Sequence, residues 1–96
     1  MTYEELCKAT ENPNFTQFDS ETERCLWLTQ VKGWEVAHEI VESLPEPAAS
    51  WIHAMLHRAE GDTGNAMYWY SCAGKNMPTN NLSISEEWHA IAKALL

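Results

Sequence analysis

The sequence predicts an all-α fold, a stack of antiparallel helical hairpins built from about five to six short helices. Three observations predict it. Apolar residues recur at helical spacing, as in Trp34, Ala37, Val41 and Leu44, and again in Trp88, Ile91, Ala92 and Leu95. Helix start and stop signals punctuate the chain at short intervals. No stretch reads convincingly as a strand: the run MYWYSC (67–72) is rich in β-formers but sits inside a helix-period pattern.

The elements follow in order. Thr2 and Glu5 form a capping-box pair that opens a helix of about eight residues, ended by Asn12-Pro13-Asn14. From Phe15 to Phe18 the chain reads as an irregular loop whose two phenylalanines tuck into the core. Ser20 and Glu23 form a second capping box, opening a helix that runs to about Val31 before Gly33 breaks it. A third helix covers Trp34 to Leu44, with Glu35, Glu39 and Glu42 opposite its apolar stripe and Pro45 as its stop. Pro47 suits the first turn of a fourth helix, which continues through Glu60 to a terminating Gly61. Asp62 caps a fifth helix, with Asn65 in its first turn, that ends at Ala73 before Gly74 and Pro78. After the polar loop NMPTNNLS, a sixth begins near Ser83 or Ser85. Each helix after the first holds one tryptophan: Trp27, Trp34, Trp51, Trp69 and Trp88. One large anchor per element is enough apolar surface for a single domain spanning residues 1–96.

Charge narrows the classes of function. The net charge is −8, concentrated at the front: residues 1–48 carry ten acids against three bases, and residues 49–96 four against three. Such a chain repels phosphate backbones and anionic headgroups, so neither nucleic acid nor a membrane is the expected partner. A protein partner, or self-association, is easier. Cys7, Cys25 and Cys72 are odd in number and far apart, which suggests reduced, mostly buried thiols rather than disulfides or a cysteine zinc site. The opening MTYEELCKAT has no apolar run, so a signal peptide is not expected and a cytoplasmic location is.

The segment Ser50 to Pro78 resembles one tetratricopeptide-type helical hairpin. Ala54 matches that family's small position in the first helix and Gly61 its turn glycine. Ala66, Tyr70 and Ala73 match the small-aromatic-small positions of the second helix, and Pro78 the closing proline. Cys25 to Pro45 is similar to a degenerate version, with Ala37 at the small position. Ser50 and His53 depart from the pattern, where tryptophan and leucine are usual. WIHAMLHRAEGDTGNAMYWYSCAG also resembles a signature of small, uncharacterised microbial proteins. These likenesses imply a helical-repeat-like fold suited to protein–protein interaction and imply no chemistry.

Candidate chemistry lies in HAMLHRAEGD, His53 to Asp62. Residues four apart on a helix share a face, so His53, His57 and Glu60 fall together. Two imidazoles and a carboxylate can bind a divalent transition metal such as zinc, with a further ligand from His38, Glu42 or Asp62. HExxH is not matched, because Ala54 stands where the glutamate would. Two other readings stay open. A helical wheel sets the three opposite Trp51, Ile52, Met55 and Ala59, as a solvated face. The tetratricopeptide register instead packs both histidines against the neighbouring helix, where they need hydrogen-bond partners or could switch with pH. Arg58 is placed to bridge the turn to Asp62 or to clamp an anion, Asp62 and Asn65 to cap locally or bind, and Tyr68 to face a partner. No catalytic residue is assigned. The expected function is a protein-interaction module, with a metal-binding protein or small metal-dependent enzyme on His53, His57 and Glu60 as the alternative.

Overall fold

A computed structural model describes residues 1–45, 47–79 and 81–96; Glu46 and Asn80, the latter in the expected polar loop, lie outside the described residues. Among the described residues the chain forms six α-helices and no strand: α1 (Tyr3–Ala9), α2 (Glu21–Val31), α3 (Trp34–Val41), α4 (Pro47–Glu60), α5 (Thr63–Ala73) and α6 (Ile84–Leu95). The all-α reading holds, including the helix through MYWYSC. None of these helices is long and apolar enough to cross a membrane.

Local chemistry sets the ends. Thr2 and Glu5 close the reciprocal box at α1, and Ser83 and Glu86 close one at α6. The box expected at α2 is only half formed. Ser20 accepts the Glu23 N–H at 3.1 Å, but the Glu23 carboxylate instead accepts the Asp19 N–H at 2.7 Å and pairs with the Met1 ammonium at 3.1 Å. The ammonium draws the acid one residue past the cap. At Gly33, φ 98° and ψ −179° let α2 turn into α3 through two residues, a conformation open in practice only to glycine.

Indoles bind the helices to one another. Trp27 Nε1 donates to the Ala9 carbonyl at 2.8 Å, fixing α2 to the end of α1. Trp88 donates to Leu26 at 2.8 Å, fixing α6 to α2, and Trp34 to Leu56 at 2.5 Å, fixing α3 to α4. Each ring thus buries its apolar body and satisfies its one polar atom on a neighbouring element. Leu6, Leu26, Ile52, Met55 and Ile91 fill the space between. Phe15 and Phe18 pack half-buried against that core, as expected of the loop that holds them.

The rod at the centre is α4, which touches α2, α3, α5 and α6. Ile52 to Leu56 and His57 are all buried, and six consecutive helical residues point all the way round the axis. Gly61 and Asp62 fold α5 back along α4. Ala54 meets Ala66 and Tyr70, and Lys75, just past α5, covers the Trp51 ring at 4.4 Å. A buried ionic knot fastens α6: Glu87, 2% exposed, accepts Arg58 Nε at 2.9 Å and the Tyr70 hydroxyl at 2.5 Å. Burial, with Glu87 adding to it, pushes the Tyr70 phenol well above its ordinary pKa. The thiols depart from expectation. Cys25 is buried and Cys7 half-buried, but Cys72 lies exposed on the outer side of α5.

Two glycine substitutions are expected to act in opposite directions in urea unfolding. Gly33→Ala meets no neighbouring atom but forces a side chain into a strained backbone, costing about 1–3 kcal/mol. Gly64→Ala, within α5 at ordinary helical φ and in open space, stabilises by about 0.4–1 kcal/mol.

Candidate metal centre

Three imidazoles meet where α3 crosses α4. His53 and His57 stand one turn apart on α4, and His38 comes from α3. One ring nitrogen of each lies within 4.8 Å of the other two. Nε2 of His38 and Nε2 of His53 are 3.1 Å apart, a hydrogen bond that requires one of them to carry the proton. His53 and His57 stack at 4.9 Å, while His38 stands edge-on to both at 4.8 and 5.0 Å.

Two indoles wall the group. Trp34, one turn before His38, stacks on its ring at 4.5 Å and 9°, while its N–H is tied to α4 at Leu56. Trp69 of α5 lies flat on His53 at 4.0 Å and 16°. Packing therefore fixes the planes of His38 and His53.

His53 is 3% and His57 7% exposed, so the solvated-face reading is overturned. The wheel assumed one apolar face; α4 is enclosed, and α3 and α5 cover the side that carries the histidines. Both rings pack inward, against α3 and, for His53, also α5. His53 finds its partner in His38 of α3, and His57 finds its partner in Glu60 of its own helix. Burial first, then the adjacent His38 and His57, pushes the His53 pKa down to about 4, so the ring is neutral at pH 7.

The other candidates separate. Glu60 does not join the three-imidazole group; it binds the Nδ1 side of His57 at 2.6 Å and forms a second cluster with His57 and Asp62. Asp62 caps α5, accepting the Asn65 N–H at 3.2 Å and the Asn65 amide at 2.7 Å. Those bonds hold its carboxyl below the usual range. Arg58 turns away from Asp62 to Glu87 and the Ser83 carbonyl, because the acid it meets is supplied by α6. Tyr68 is 60% exposed beside Met67 at 58%, whereas Trp69 and Tyr70 point inward. The sequence marks Trp34 and Trp69 as helix anchors and not as site residues. Spacing gave one signal, since Trp34 and His38 are four apart; Trp69 gave none.

Three imidazole nitrogens are a donor set for zinc, copper, nickel or cobalt. At metal–nitrogen bonds of about 2.0–2.1 Å, neighbouring donors of a tetrahedral site lie roughly 3.3 Å apart, close to the 3.1 Å between His38 and His53. Comparison with models of protein families, with curated proteins and with solved structures finds no match.

The depressed His53 pKa fixes a pH dependence. Unfolded, the ring takes a proton near pH 6.5; folded, it resists to about 4. Between those values the unfolded chain binds more protons, so stability must fall as pH falls through this window. Glu5, Asp62 and Glu86 act in the same sense, but only below their ordinary values of 4.5 and 3.8. Chemical denaturation between pH 5 and 7 should therefore show a downward slope toward acid that flattens in His53→Leu. An unchanged slope in that variant would assign it elsewhere.

Proposed function

We propose that this chain is a metal-binding protein holding one divalent transition metal, zinc as the reference case, on His38, His53 and His57. One observation carries the proposal: ring nitrogens from two different helices converge within 4.8 Å, on residues largely closed to water. Packing two helices does not need this. Three clustered imidazoles carry six nitrogens to be satisfied, and apolar side chains of the same volume would join α3 to α4 without that cost. The indole stacks on His38 and His53 add pre-organisation, which a metal site needs and a simple contact does not. Glu60 moves from ligand, as the sequence suggested, to a partner of His57.

Titration of tag-free, chelator-stripped protein with Zn2+ tests this. One ion per chain should bind, with loss in His38→Ala, which alters the most exposed of the three rings, and in His53→Leu. Free metal at a hundred times Kd should add about 2.7 kcal/mol to unfolding. No stoichiometric metal and no thermal shift with zinc, nickel, copper or cobalt would retire the proposal.

A second reading, an interaction module that associates with its own copies, is supported by the outer face of α5. Met67 and Tyr68 are adjacent and more than half exposed there, on a hairpin whose tetratricopeptide-like positions Ala54, Ala66 and Tyr70 pack together. Light scattering across concentration should show association that weakens in Tyr68→Ser; a strict monomer at millimolar concentration would remove it.

A further inference from the structure

We propose that Glu60 and Glu42 are positioning residues for the metal, each holding the outer nitrogen of a ligand imidazole so that its inner nitrogen faces the ion. This rests on the three-imidazole reading above and assigns roles to two acids outside the ligand set.

An imidazole that binds a metal through one nitrogen carries its proton on the other, and the group that accepts this proton sets tautomer and ring orientation. On His57 the geometry is already complete. Glu60 Oε1 lies 2.6 Å from Nδ1, the contact that would leave Nε2 to a metal. On His38 it is half complete. Nδ1 faces Glu42 Oε2 at 3.8 Å, while Nε2 shares a hydrogen bond with His53 Nε2 at 3.1 Å. That Nε2–Nε2 edge contains one proton in the metal-free chain. A metal needs both lone pairs, so the proton must leave Nε2 and an equivalent one sit on Nδ1 of the same ring. No charge is gained or lost. If His38 is the donor ring, its new Nδ1–H points at Glu42, and the 3.8 Å gap closes to a hydrogen bond. If His53 is the donor, His38 already carries Nδ1–H and Glu42 holds it in place.

The placement of the two acids is independent support. Glu42 is the C-cap of α3, and Glu60 is the last residue of α4. Helix C-termini carry partial negative charge, so an acid there is disfavoured. Both helices place an acid at the wrong end, and in both the acid faces the outer nitrogen of a cluster histidine.

The test compares wild type, Glu60→Ala, Glu42→Gln and His53→Leu by Zn2+ competition against a chromophoric chelator, with long-range 15N–1H spectra to read tautomers. Glu60→Ala should weaken Zn2+ binding by about 10–100-fold and turn His57 from a pure Nδ1–H form into a tautomer mixture. Glu42→Gln should weaken binding less, with His38 held in the Nδ1–H form in the zinc-loaded wild type. A purely structural acid would leave the tautomers unchanged, and circular dichroism checks that each variant is folded. Wild-type affinity and an unmixed His57 in Glu60→Ala, with binding still lost in His53→Leu, would overturn this proposal and leave the metal reading intact. No Zn2+ binding by the wild type would overturn both.

Discussion

The enclosure of α4 is the constraint on which the rest of the structure depends. A fourteen-residue helix touched by α2, α3, α5 and α6 has no solvent face along its middle. Every side chain from Ile52 to His57 must be apolar or find a polar partner inside. Two of those six are histidines. Their rings cannot be left bare, so the elements that cover them have to supply something polar or aromatic. Helix α3 supplies His38 and Trp34, and α5 supplies Trp69. The site follows directly from burying two imidazoles on the central rod.

Tryptophan does two jobs in this arrangement. Trp27 and Trp88 tie helices together through one N–H each. Trp34 makes the same kind of tie to Leu56 and also presents its face to His38. The bond that docks α3 on α4 therefore also sets the plane of one member of the cluster. Orientation comes from the fold itself, and a bound ion would have little left to organise. Charge is handled similarly on the other flank of α4, where Glu87, Arg58 and Tyr70 satisfy one another out of water.

Much of the fold was legible because it is local. Thr2, Ser20, Asp62 and Ser83 announce helix starts through bonds spanning three residues, and all four side chains accept the expected N–H. The i, i+4 spacing of His53 and His57 placed them together. What stayed hidden depends on how rods cross. Arg58 and Glu87 are 29 residues apart, and no spacing rule joins them. His38 was one of several candidates, because its arrival at α4 hangs on the angle set by the two-residue turn at Gly33. The burial of the histidines was ambiguous for a related reason. A wheel drawn for a surface helix sends polar residues outward, and nothing local to α4 says that it lies in the middle.

The most direct measurement is a crystal of the zinc-loaded chain with diffraction recorded on both sides of the zinc absorption edge. A single anomalous peak about 2.0–2.1 Å from one ring nitrogen of each of His38, His53 and His57 is the predicted result. A peak seated only on surface carboxylates such as Glu60 and Asp62, or three rings lying apart on separate faces of the helices, would contradict the account.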